Sequence, residues 1–252
     1  MWWRQFLKEL RGHRGEILLL VGALLVWTAF LYSRVGVWEP ELIVLIYWFP
    51  MGFLPLWAIW TSVQLYRQEW RENTSYLMLS LPVRAWTITS AKLAIVAAGI
   101  LGFSALIFGG AALLTARTGF FARIVDVFEI VPLDWMIKTG LIFYGAMIFG
   151  ILVGSLISQF AYVFSRLFSR FQGLAMVWTW FLTIWLMGEA AWFGHRFLGW
   201  MPDLRLQAYY VMNNVPGTHA VAIETGPILA VALFLAGLYW VLNVTVERAV
   251  EV

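Results

Sequence analysis

Residues 66–92 read YRQEWRENTSYLMLSLPVRAWTITSAK, from Tyr66 to Lys92, a charged stretch with an apolar centre set between two long apolar runs. Tyr76, Leu77, Leu79 and Leu81 need cover, whereas Arg67, Glu69, Arg71, Glu72 and Arg84 need water. This division predicts a short helix lying on a membrane surface between two spans. A membrane protein that keeps such an element has a partner to meet in the cytosol.

The runs on either side belong to a chain that is apolar throughout. Of its 252 residues 62% are hydrophobic and 12% charged, and the mean hydropathy is +0.80. Soluble domains are about 45–50% apolar and about 25% charged, so the composition is that of an integral membrane protein. The 16 Trp and 9 Tyr suit a chain with two lipid–water boundaries, where an amphipathic ring sits half wet. The net charge of +3 does not imply a nucleic-acid partner, because the basic residues scatter to helix ends and form no stripe that tracks a phosphate backbone. The absence of cysteine excludes disulfides, thiolate metal sites and cysteine nucleophiles.

A hydrocarbon core of about 30 Å needs about 20 apolar residues per helix. Six segments qualify: 17–32, 42–63, 88–115, 135–164, 173–193 and 227–246. The predicted fold class is therefore all-α, a polytopic membrane protein of six transmembrane helices forming a single domain over 1–252. Pro50 and Pro55, with Gly52 between them, free backbone carbonyls in the second span and predict a bend there. With the N-terminus inside, eleven of the 17 Lys and Arg fall on cytosolic pieces, which favours both termini in the cytosol. The basic start is read as retained, not as a signal peptide, because the apolar run begins only at Ile17 and no Ala-x-Ala pattern follows it. Trp3, Phe6, Leu7 and Leu10 recur at i, i+3, i+4 and i+7, with Arg4, Lys8 and Arg11 on another face. That spacing predicts an N-terminal amphipathic helix in the cytosolic headgroup layer. The outer segment Gly194–Gly226 mixes turn residues with Trp200, Tyr209, Tyr210 and Met212, and is expected to cap the membrane or dip toward it.

Catalytic groups are few. Glu189, His195 and His219 are the candidates for an intramembrane metal-dependent hydrolase, but Glu189 and His195 stand six apart, off one helical face, and no HExxH pattern is present. No serine sits in a G-x-S-x-G elbow. Gly12-His13-Arg14-Gly15 lacks the spacing of a phosphate-cradling loop, so any ATPase that drives the chain is a separate protein. Charges within spans, the usual markers of ion or proton paths, lie near the boundaries: Glu16 and Lys92 at the inner one, Glu189 and Lys138 at the outer.

Read in order, Glu69, Thr74, Leu77, Leu79, Leu81, Pro82, Val83, Arg84 and Lys92 resemble the cytosolic signature of bacterial type-2 ABC transporter permeases. There an acidic residue, a small hydroxyl residue and an L-L-S-L-P-V-S-R-like string lead into a lysine on span three. Here the string is Leu77-Met78-Leu79-Ser80-Leu81-Pro82-Val83-Arg84, with Arg84 directly after Val83. The resemblance extends to the span count, the N-terminal amphipathic helix and the longer segment between spans five and six. It implies that residues 66–86 form a coupling helix seated in a cleft of an ABC ATPase subunit, with Glu69, Thr74, Leu77, Leu79, Leu81, Pro82 and Arg84 at that interface. It further implies an exporter permease that is not itself an enzyme. The permease would sit in the bacterial plasma membrane beside a second permease copy or paralogue, with no cofactor of its own and with ATP and Mg on the partner. Independently, Pro82 is expected at the first turn of span three, where its missing N–H costs nothing and makes a stiff corner. The rival readings are a membrane assembly or sensory protein that docks another cytosolic partner, and the metal-dependent hydrolase. The transported substrate is not legible.

Overall fold

The computed structural model describes residues 2–71, 84–120, 132–168, 170–212 and 215–248. Its elements are α1 (Trp2–Gly12), α2 (Arg14–Tyr32), α3 (Pro40–Tyr47), a 3₁₀ turn (Phe49–Phe53), α4 (Leu54–Arg71), α5 (Ala85–Thr118), α6 (Leu133–Ser165), α7 (Gln172–Phe197), β1 (Leu204–Met212), β2 (Val215–Ile223) and α8 (Thr225–Arg248). Among the described residues six helical stretches are long and apolar enough to cross a membrane, and they overlap the six predicted spans. The protein is a predominantly helical, multi-pass membrane chain.

The second stretch, Pro40–Arg71, is broken where the sequence requires it. Pro50 lies in the 3₁₀ turn and Pro55 in the first turn of α4, so α3 and α4 are separate rods joined by the turn. At its other end the stretch runs further than expected. Tyr66 to Arg71, predicted as the start of a surface helix, are the last turns of α4. The next described helix starts at Ala85, after Arg84 in extended backbone. Thr74, Leu77, Leu79, Leu81 and Pro82 lie outside the described residues.

The chain divides into two compact units. The first holds α1 to α5 and α6 up to Ser155, and α5 is its axis, in contact with α1, α2, α3 and α4. Ile88, Lys92, Ile95, Val96, Ile100, Phe103, Ile107, Ala111 and Leu114 of α5 are buried at spacings of three and four, the period that keeps one helix face turned inward. Leu31, Ile43, Tyr47, Leu54, Ala58, Leu65 and Ile151 complete that core.

The second unit comprises α6 from Leu156, the hairpin, α7 and α8. Trp180 of α7 donates its indole N–H to Ser158 Oγ of α6 at 3.2 Å. The segment between α7 and α8 forms a regular antiparallel hairpin, paired from Leu204↔Ile223 to Met212↔Val215, and so adds a two-stranded sheet to the helices. Beside it α7 and α8 approach without side chains between them. A Cβ on Gly194 would lie 2.5 Å from the Gly226 carbonyl oxygen and 2.8 Å from Pro227 Cα, and one on Gly226 would lie 2.7 Å from the Gly194 carbonyl oxygen. Small residues of this kind let helix backbones touch in a membrane, where water does not drive helices together. Gly194→Ala is expected to destabilise the protein by about 1–3 kcal/mol through overpacking. Gly188→Ala, whose Cβ meets nothing within 4 Å, should not destabilise it. Thermal unfolding of both variants in detergent checks the difference.

Candidate functional site

Four charged side chains meet where α1, the end of α4 and the beginning of α5 converge. Lys92, two turns into α5, is completely buried. Its ammonium lies 3.1 Å from Glu9 Oε1 of α1 and 3.1 Å from Glu69 Oε2 of α4, and donates at 2.6 Å to the Leu65 carbonyl. An ammonium has three N–H donors; two go to Glu9 and the Leu65 carbonyl, and Glu69 adds a close ion pair. The charge also lies 4.9 Å from the centroid of the Tyr66 ring, whose hydroxyl donates to Thr89 Oγ1 at 3.3 Å. Lys8 approaches Glu69 Oε1 at 3.6 Å from the surface, with 60% of its side chain exposed. Two cations thus balance two carboxylates, and the quartet is neutral as a whole.

The sequence explains how each member arrives. On α1, Trp2, Phe6, Glu9 and Leu10 follow one another at spacings that keep them on one face, and His13 continues that spacing just past its end. Phe6 and Leu10 pack on the apolar core, Trp2 Nε1 donates to Ser90 Oγ of α5 at 3.0 Å, and Gln5 donates to Glu9 Oε1 at 3.2 Å. Trp3 is 60% exposed on the protein, stacked against Trp2 and Phe6, while Trp2 faces inward. Leu7 is half-buried. Glu69, read from sequence as a residue needing water, is buried against Lys92. It stands in the last turn of α4, where the helix dipole disfavours an acid, so the Lys92 ammonium accounts for its position. Arg84 is the one remaining interface candidate among the described residues, and it is exposed at the N-cap of α5.

Sequence reading noted Glu69 and Lys92 separately and missed Glu9. The available signal was a single acid in the otherwise basic segment Trp2–Gly12.

The hydrolase candidates do not assemble. His195 pairs through Nδ1 with Glu224 Oε2, across from the start of α8, and not with Glu189 or His219. Among the described residues no three His, Asp or Glu side chains gather as metal ligands. Compared with known proteins, the chain matches no family model, no curated protein and no solved structure.

The quartet ties the two helices that enter and leave segment 72–83, and it ties both to α1. Lys92→Met would leave Glu9 and Glu69 facing each other in a buried site, and removal of one partner from such a cluster costs about 3–5 kcal/mol. The triple variant Glu9→Gln, Glu69→Gln, Lys92→Met should recover most of that loss. Lys8→Met, at an exposed position, should cost no more than about 1 kcal/mol. Equilibrium unfolding in micelles measures all three.

Proposed function

We propose that this chain is the membrane-spanning permease subunit of an ATP-driven ABC transporter, working as an exporter with a separate ATPase and a second permease copy or paralogue. The observation that carries the reading is the placement of the Glu69–Lys92 pair at the roots of the two helices joined by the Leu77–Arg84 string. A load applied to that segment enters α4 and α5 together, because their roots share one buried ammonium, and it reaches α1 through Glu9. That is the mechanical requirement of a coupling element. Closure of a nucleotide-bound ATPase dimer would move these helices as a block and bias the permease between two access states. The subunit supplies the path and no catalysis; ATP and Mg stay on the partner. In this reading the membrane is the bacterial plasma membrane, and both termini and residues 72–83 face the cytosol, in keeping with the Lys and Arg bias.

The test separates docking from transmission. Leu79→Asp places a charge in the apolar centre of the string and should abolish co-purification of the ATPase, since buried apolar anchors dominate interface energies. Arg84→Ala removes a rim charge and should only weaken it. Glu9→Gln leaves the Lys92–Glu69 pair in place, so the ATPase should still bind while stimulation of its hydrolysis in lipid discs falls. A folded Leu79→Asp variant that binds and stimulates the ATPase like the parent would remove the basis for the reading.

A further inference from the structure

The inward face of α1 continues into α2. Phe6, Leu10, His13, Ile17, Leu20 and Leu24 recur at steps of three and four; His13 is buried, and the other five pack on the core of the first unit. The hydrogen-bond ladder also runs through the junction. The His13 N–H donates to the Glu9 carbonyl and the Ile17 N–H to the His13 carbonyl, each at 3.1 Å. One helical phase thus serves both helices, and the opposite face is continuous as well. It reads Arg4, Lys8, Arg11, Gly15, Leu18 and Leu25, all exposed.

That outward face changes character within one turn. On α2 it is bare hydrocarbon, with Leu18 68% and Leu25 62% exposed on a helix long and apolar enough to cross a membrane, so lipid tails cover it. On α1 it is basic. Among the described residues Arg4, Arg11 and Arg14 make no ion pair, and Lys8 has a single contact of 3.6 Å with Glu69. The neighbouring acids do not offset these charges at the surface, because Glu9 and Glu69 are buried against Lys92. The apolar side of α1 is taken up by the protein's own core, so the basic side is the one in line with the lipid-covered face of span one.

With the hydrocarbon edge at Gly15, Arg11 stands about 6 Å, Lys8 about 10 Å and Arg4 about 16 Å further along the axis. The polar layer of a bilayer is about 5–8 Å deep on each side, and screening at physiological salt has a length of about 8 Å. All of these cations therefore act on the headgroup phosphates. Zwitterionic heads bring an ammonium of their own and gain little from such a face, whereas an anionic head brings phosphate charge alone. Arginine forks match phosphate oxygens in pairs. A soluble polyanion would need a basic face clear of the membrane, and here the next turn of the same face is covered by lipid.

We propose that the outward face of α1, formed by Arg4, Lys8 and Arg11 with Arg14 on its flank, binds the heads of anionic glycerophospholipids such as phosphatidylglycerol, with the acyl chains lying along Leu18 and Leu25. The surface depends neither on the transporter reading nor on which side of the membrane α1 occupies.

The experiment uses the full chain in phosphatidylcholine discs that contain a minor fraction of phosphatidylglycerol with a diazirine near the head end of its acyl chain. Photolabelling should map to α1 and the first turns of α2. Unlabelled phosphatidylglycerol should compete far better than phosphatidylcholine of the same chain length, and labelling should fall as salt is raised. Arg4→Gln combined with Arg11→Gln should weaken labelling by about fivefold for each arginine removed, the scale of one basic residue at an anionic surface. Arg196→Gln combined with Arg205→Gln, which removes the same charge from two other exposed positions, should leave it unchanged. Equal competition by phosphatidylcholine would reduce the contact to bulk lipid and overturn the proposal; this comparison is made on the parent chain and needs no variant. Equal losses in the two double variants would trace the effect to net charge and overturn it as well. Displacement of the label by single-stranded RNA more readily than by phosphatidylglycerol would make the face a site for a soluble polyanion, and would likewise overturn it.

Discussion

The fully buried Lys92 ammonium sets the arrangement of the first unit. Removing such an ion from water costs several kcal/mol even after relaxation, and the cost is bearable only where hydrogen-bond acceptors and opposite charge are close. Glu9, Glu69 and the Leu65 carbonyl meet that demand from two different helices. Apolar packing tolerates small slips of one helix along another, whereas three close polar contacts on one nitrogen do not. The quartet therefore fixes the register of α1 and α4 against α5, while the apolar residues around it supply most of the burial.

α5 serves three purposes along its length. Its first turns carry Thr89, Ser90 and Lys92, which receive α1 and α4 through polar contacts. Its middle turns, with Ile95, Gly99 and Phe103, line a mostly apolar cavity of about 380 Å³ beside α2 and α4. Gly99 lets the end of the Trp57 ring reach the backbone, since a Cβ there would stand 2.1 Å from Cη2 of the ring. Its last turns, with Ala111 and Leu114, return to plain apolar core. The change from ionic to amphipathic to apolar contacts along one helix matches a rod that passes from a wet boundary into hydrocarbon.

The spans were legible because a membrane imposes a length and a composition that few soluble helices share, and the bend between Tyr47 and Leu54 was legible because proline removes a donor wherever it stands. Glu69 and Lys92 were visible as residues but not as a pair, since a charge near a predicted boundary reads as solvated until a partner from another helix is known. Glu9 was hidden for the same reason, inside a segment whose basic residues dominate its character. In the hairpin, the alternation of Leu204, Leu206 and Ala208 with Arg205 and Gln207 carried the strand signal; the neighbouring aromatics suggested a membrane-facing segment instead.

Glu9 and Lys92 are separated by 83 residues, and this has a bearing on how the chain is made. A ribosome delivers Glu9 long before Lys92, so the N-terminal helix first exists with an acid and no buried cation to receive it. Synthesis proceeds at about 5–20 residues per second, and the interval is therefore several seconds. Throughout it α1 can lie at the surface but cannot seat, because burying Glu9 alone would leave a naked carboxylate in the protein interior. Seating waits for span three, so α1, made before α2 to α5, is among the last pieces of its unit to take its final place.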